Sequence, residues 1–322
     1  KEVITPENFP PGTVAHSSGN GLSPKSCLDE LANNPNIRDI TLSGALFTGP
    51  EPSDICNLFS PQATDRIKHH VLFAGPHARV AINEGRAQYV VSHLSQLPHN
   101  MNLWGLDTVI IKTSEPVDGQ YSFGLATGAL PEMINYVKLN GGKIIVASDP
   151  NVPYIPGATI SEEKIDFLIH TNEALPKMDF NDKTDEVRAM ARMILSQYIH
   201  SGQTLQLGIG IPAAVAELIG QEKIGDLNIF TEVLCGPHRN LIDQGLVTNA
   251  GLDYSWILDD KTREQAIKNK PSIAAFFFEN GAEDYERLDQ NHTILAQSVA
   301  VTNNHFVIQS QPDMVSINGA AM

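Results

Sequence analysis

Short apolar runs separated by amphipathic stretches recur along the chain, and that alternation predicts a parallel or mixed sheet covered by helices. Thr13-Val14-Ala15 reads as a strand, followed by the glycine turn Ser18-Gly19-Asn20-Gly21. Ser23-Pro24 predicts a helix start, with serine as cap and proline in the first helical position, and the helix runs to Leu31. Asp39 to Leu42, Tyr89 to Leu94 and Thr108 to Lys112 read as further strands. Ala129 to Leu139 is helical, Gly141-Gly142 ends it, and Lys143 to Ala147 is a strand of the buried type. Three prolines, Pro150, Pro153 and Pro156, stiffen residues 149–157 into an extended excursion, after which Ile165 to Ile169 resumes as strand.

The polar stretch 176–184 is the best linker, and Thr184 then opens a helix with Val187, Met190, Ile194 and Tyr198 at helical spacing. A boundary near 182 follows, giving domains 1–182 and 183–322. In the second half a strand, Gly202 to Leu207, enters Gly208-Ile209-Gly210-Ile211-Pro212, then a helix over Ala213 to Ile219 and a strand at Leu227-Asn228-Ile229. The first half has the same order of strand, Gly-x-Gly, proline, helix, strand. Two similarly built α/β domains are therefore expected.

A length of 322 residues suits two domains, and 42% hydrophobic with 18% charged residues is a globular composition. The net charge of −15 repels phosphate backbones, so no nucleic-acid partner is expected. Acidity does not bar an anion held locally by helix N–H groups. Cys27, Cys56 and Cys235 are too few and scattered for a disulfide framework and read as free thiols. Lys1-Glu2-Val3 opens without an apolar signal region. The longest apolar run, Ile273 to Phe278, is far short of the ~18 residues a membrane span needs. A cytoplasmic protein with no membrane partner is the expectation.

Leu207 to Val215 carries the strongest local motif. Its glycines permit close approach to a ligand, and the helix start behind them offers N–H donors. Ala213 stands where a dinucleotide fingerprint has its third glycine, so that motif is excluded. Gly208, Ile209, Gly210, Ile211 and Pro212 are the ligand-contact candidates. Glu232 joins them, a carboxylate just past a strand in Phe230-Thr231-Glu232. Glu279 lies at the end of the strand running into Asn280-Gly281. Cys235 and His238 form no zinc pattern, and no metal is expected. His16, His69 and His70 read as structural, and Arg79 and Arg86 first as surface salt-bridging residues, with bidentate clamping of a carboxylate or phosphate as the alternative.

An ordered set of motifs resembles the acetyl-CoA hydrolase/CoA-transferase family, the branch with 4-hydroxybutyrate and acetate or succinate CoA-transferases. It comprises Ser18-Gly19-Asn20-Gly21, then Phe73-Ala74-Gly75-Pro76 with Arg79, and Asn83-Glu84-Gly85-Arg86-Ala87. Gly119 to Gly124, Leu205 to Pro212, Thr231-Glu232, Gly245 to Asn249 and Val315-Ser316-Ile317-Asn318 complete it across essentially the whole chain. The resemblance implies two open α/β domains of the CoA-transferase type, coenzyme A as acyl-CoA substrate, a small carboxylate acceptor and a nucleophilic glutamate that becomes acylated. In the family pattern that glutamate follows the Ser-Ile-Asn strand within a few residues. Here Met322 falls on its position, and a thioether carries no anionic oxygen. The catalytic residue is therefore unassigned, with Glu232 and Glu279 as the candidates in this chain. The second domain is expected to be incomplete, and the chain to act as one part of a homo-oligomer or with a second CoA-transferase-like chain; the alternative is a catalytically inactive scaffold subunit of such a complex, or an acyl-CoA hydrolase.

Overall fold

The structure, a computed structural model, describes residues 2–48, 54–92, 97–124, 127, 129–154, 159–176, 184–206, 211–231, 236–252, 273–275 and 314–316. The chain divides into two compact units, Lys1–Pro176 and Lys177–Met322.

The first unit contains strands β1 (Val14–Ser17), β2 (Ile40–Ala45), β3 (Ile67–Phe73), β4 (Gln88–Tyr89), β5 (Thr108–Thr113), β6 (Pro116–Val117), β7 (Gln120–Ser122), β8 (Lys143–Ser148), β9 (Thr159–Ser161) and β10 (Phe167–His170). Seven of them form a sheet in the order β10-β8-β5-β1-β2-β3-β4, every neighbouring pair parallel. β6, β7 and β9 make a small antiparallel sheet. Helices α1 (Lys25–Asn33), α2 (Pro61–Thr64), α3 (Pro76–Asn83), α4 (Leu97–Leu103) and α5 (Leu130–Leu139) connect them.

Parallel sheets bury both faces, which is why β5 is buried at all six positions and β8 at five of six. Leu28 and Leu31 of α1, Leu42, Ile67, Ile110 and Ile145 of the sheet, and Phe9 ahead of β1 join one core. Burying each such side chain stabilises the fold by about 1.5–3 kcal/mol.

Three local readings need correction. Ser23 does not cap α1: its hydroxyl bonds the Asn20 carbonyl, and Pro24 itself occupies the flanking position. The strand expected over Tyr89 to Leu94 stops at Tyr89, because this is the sheet edge and Val91 is 86% exposed with no face to cover it. β3 went unread because His69 sits in an apolar slot. Ile67, His69 and Val71 point inward together, and the two adjacent histidines disguise the alternation.

The second unit has β11 (Thr204–Gln206), β12 (Leu227–Thr231), β13 (Val247–Leu252), β14 (Ile273–Ala275) and β15 (Met314–Ser316), with helices α6 (Asp185–Tyr198), α7 (Ile211–Glu222) and α8 (Gly236–Asp243). Thr184 caps α6 by accepting from Val187 N at 3.3 Å, and Asp185 and Glu186 in the first turn suit its dipole. All pairs are parallel, in the order β14-β13-β12-β11-β15. That order repeats the first unit: β2, β3 and β4 run outward from one side of β1 as β12, β13 and β14 do from β11. β5 and β15 lie on the opposite sides. The expected pair of open α/β domains is present at the level of strand order. Val215, Ala216 and Ile219 of α7 pack with Leu205, Leu227, Ile229 and Leu241 as this unit's core. Among the described residues no helix is long and apolar enough to cross a membrane.

Two core imidazoles give the fold a pH signature. His16, bonded through Nδ1 to Ser43 Oγ at 3.0 Å, is pushed down to about 4 by burial. His69 is also pushed down to about 4, chiefly by burial, with the Leu58 backbone opposing and His70 and Arg86 adding. The unfolded chain takes up these protons near ~6.5, so between about pH 6.5 and 4 it binds more protons than the native state, and stability falls as pH falls. Each ring accounts for about 3 kcal/mol by pH 4. Urea midpoints measured from pH 7 down to 4.5 should decline continuously; a flat profile would show that neither ring is held neutral.

Candidate functional site

In an open parallel sheet, loops diverge at the carboxyl edge where strand order reverses, and ligands bind there. The reversal in the first unit lies between β1 and β5. Ser17, Ser18, Gly19 and Asn20 leave β1 at this edge, and Thr113-Ser114 leave β5. Gly19 is a steric necessity: a Cβ there would lie 1.8 Å from the Ala45 carbonyl oxygen at the end of β2. Asn20 adopts left-handed φ of 54° and donates its N–H to Leu46 O at 2.9 Å. The turn is locked further by Thr48, whose hydroxyl donates to Asn20 O and whose N–H donates to Ser23 Oγ at 3.0 Å.

Ser18 joins the two strands across the reversal. Its hydroxyl donates to Leu22 O at 2.7 Å and accepts from Lys112 N at 3.1 Å. Ser114 Oγ accepts from Ser122 N at 3.0 Å, and Ser148 Oγ donates to Ser114 O at 3.2 Å. Thr127 is 1% exposed and its hydroxyl has no hydrogen-bond partner among the described residues.

A buried ion cluster stands behind these hydroxyls. Lys112 Nζ lies 2.8 Å from Glu173 Oε2 and 3.4 Å from Asp149 Oδ2, with Lys112 2% and Asp149 0% exposed. Asp149 also accepts from Asn151 N, Thr171 Oγ1 and Glu173 N at 2.8–2.9 Å. Glu173 Oε1 accepts from Ser26 N in the first turn of α1 at 2.8 Å. Burial pushes both carboxyls up, yet both end below the usual range. For Asp149 the Glu173 and Asn151 backbone donors outweigh burial, joined by Lys112 and Thr171; for Glu173 the Lys112 ammonium does, joined by Ser26. One ammonium between two carboxylates leaves the cluster anionic, so its work is to hold β5, β8, β10 and α1 in register rather than to attract an anion. Cys27 beside it is a free buried thiol, pushed up to about 12 by burial and then by Glu173 and Glu30, which makes it unreactive.

The corresponding reversal in the second unit lies between β11 and β15. Gly208, Ile209 and Gly210 follow β11 and lie outside the described residues, as do Glu232, Glu279 and Met322. Ile211 and Pro212 open α7, where Pro212 is buried and Ile211 packs on the unit's core. Arg86 bonds Glu84, Phe59 O and Thr64 Oγ1, and Arg79 donates to Ala74 O, so both arginines have structural partners. Sequence reasoning missed Lys112, Asp149 and Glu173. The available signal was a lone charge closing the buried run Val109-Ile110-Ile111-Lys112. Its partners are far along the chain.

Residues 46–178 match the family of the acetyl-CoA hydrolase/transferase N-terminal domain. The 4-hydroxybutyrate coenzyme A transferase of Clostridium kluyveri is 27% identical over 78% of this chain and 55% of its own. The butyryl-CoA:acetate CoA-transferase of Anaerostipes caccae is 25% identical over 89% of this chain and 61% of its own. The chain thus spans roughly three-fifths of these relatives' length. RipA from Yersinia pestis shares the fold with a TM-score of 0.71 at 20% identity, covering 82% of this chain and 64% of that one. A 4-hydroxybutyrate CoA-transferase from Porphyromonas gingivalis does so with a TM-score of 0.65 at 20% identity, covering 84% and 64%. The matched segment contains Lys112, Asp149 and Glu173.

Lys112→Met should destabilise the protein by about 3–5 kcal/mol, because it leaves Asp149 and Glu173 buried and unpaired. Adding Glu173→Gln should recover part of that loss in denaturant titrations. An equally unstable double variant would mean that packing of the lysine stem, not its charge, matters.

Proposed function

We propose that this chain is part of a CoA-transferase that moves coenzyme A from a short acyl-CoA to a small carboxylate. One observation carries the reading: a unit whose residues 46–178 match the acetyl-CoA hydrolase/transferase N-terminal domain precedes a second unit with the same strand order, so that each has a reversal edge suited to a ligand. The family match and the curated relatives support the reaction class.

In this mechanism a glutamate carboxylate attacks the thioester carbonyl, and the acyl–sulfur bond breaks to release CoA thiolate and leave a mixed anhydride. The thiolate then attacks the glutamyl carbonyl, forming glutamyl-CoA and freeing the first carboxylate. The acceptor carboxylate reverses both steps. A carboxylate stripped of water is the better nucleophile for this, and backbone N–H groups at the glycine turn 208–212 would carry the oxyanion charge. Because Met322 cannot serve, the reading takes the nucleophile from a further segment or a companion chain, with Glu232 and Glu279 as the candidates within this one. It also takes the working form to be an oligomer or two-chain assembly in the cytoplasm.

The complete assembly, incubated with butyryl-CoA and acetate, should yield acetyl-CoA and lose activity to borohydride only when acyl-CoA is present. Release of free CoA without an acceptor would assign hydrolysis instead. No acyl-dependent inactivation would favour a non-catalytic subunit. Full transfer by Glu232→Gln and Glu279→Gln would exclude those two carboxylates.

A further inference from the structure

The β4 side of the seven-stranded sheet ends without the usual protection. β4 pairs only with β3, Tyr89 opposite Val71, and Val90 N donates to Val71 O at 2.9 Å. Backbone groups alternate direction along a strand, so with Val90 turned to β3 the N–H and C=O of Tyr89 face outward. Tyr89-Val90-Val91 has the aromatic and β-branched composition of a strand, yet regular pairing stops at Tyr89. Continued by two residues, the register would set Val91 beside Phe73. Phe47 turns back over β2, close enough that a Cβ on Gly44 would lie 2.1 Å from its ring. Phe73, Tyr89 and Val91 have no such cover and are 57%, 50% and 86% exposed. Sheet edges are commonly blunted by a charge or a proline on the edge strand itself, and Gln88 to Ser92 hold neither.

The charges lie beside this edge instead. Residues 66–106 hold four lysines and arginines, Arg66, Lys68, Arg79 and Arg86, against one acid, Glu84, in a chain of net charge −15. Arg86 takes Glu84, and Arg66 is turned to the carbonyls of Ala32, Asn34 and Ile37. Lys68 and Arg79 are exposed, and among the described residues neither has an acidic partner; Arg79 spends only Nε, on Ala74 O at 3.0 Å. An apolar strand edge beside two unpaired cations complements an extended segment in which acidic and apolar side chains alternate. A second β4 set across a two-fold axis would instead bring Lys68 and Arg79 towards their own copies. A phosphate polymer would leave the outward carbonyls unpaired and meet the repulsion of the remaining surface.

We propose that the β4 edge of the first unit docks an extended, acidic and apolar segment of a partner protein, which joins the sheet as an added strand. Its backbone pairs with Tyr89 and Val91, its apolar side chains lie on Phe73 and Val91, and its carboxylates meet Lys68 and Arg79. The edge is three strands from the reversal at β1, and the proposal does not depend on the CoA-transferase reading.

A fluorescein-labelled peptide of alternating glutamate and valine, titrated into the full chain, tests this by anisotropy and by amide hydrogen exchange. It should saturate, weaken as salt is raised, and slow exchange at the Tyr89 and Val91 amides. The same peptide with lysine for glutamate, or with a central proline, should do none of these. Lys68→Glu combined with Arg79→Glu changes two exposed positions and should weaken the acidic peptide about tenfold or more, and Val91→Lys should weaken it as well. No binding, binding that survives these substitutions, or binding without slowed exchange at Tyr89 and Val91 overturns the proposal. Self-association of the chain that Val91→Lys abolishes would give the edge to a second copy, and tighter binding of single-stranded RNA or anionic vesicles than of the acidic peptide would give it to those; either result also overturns it.

Discussion

One ammonium buried between two carboxylates is the contact around which the first unit is arranged. Lys112 is next to last in a strand with no exposed position, and its partners come from the residue after β8 and from the segment after β10, which in turn meets the start of α1. Because charges this deep tolerate little misplacement, the loops that leave the carboxyl edge inherit their positions from the cluster. Ser18 hangs from the Lys112 backbone, and the Gly19-Asn20 turn follows from Ser18. The edge is thus shaped by electrostatics beneath it.

Much of the architecture was legible in the sequence because it depends on apolar periodicity and on turns. Val109-Ile110-Ile111 and Ile144-Ile145-Val146 announce buried parallel strands, and Thr184 announces α6. The repeat, suggested by one strand-glycine-proline-helix unit, holds for five strands in each half. What escaped is what chain-distant contacts decide. β3 hid because a histidine filled an apolar slot, and the Lys112 partners are separated from it by loops and helices. No local pattern shows that a lysine will be paired.

The site was less legible than the fold for a related reason. Glycine turns and strand-end carboxylates mark where an α/β protein places ligands, and the motif around Gly208 to Pro212 follows that logic. They do not say which groups end up unpaired inside a wall. His69 reads as a core residue from sequence, and it is one, as is His16, whose Nδ1 is engaged by Ser43.

The ring of Phe47 resting on the bare Cα of Gly44 also bears on how this protein can change over time. A side chain at position 44 would have to displace the Phe47 ring, so the two positions are coupled through that ring's orientation. Homologous sequences with a side chain at 44 should therefore carry a smaller residue at 47 more often than those that keep the glycine.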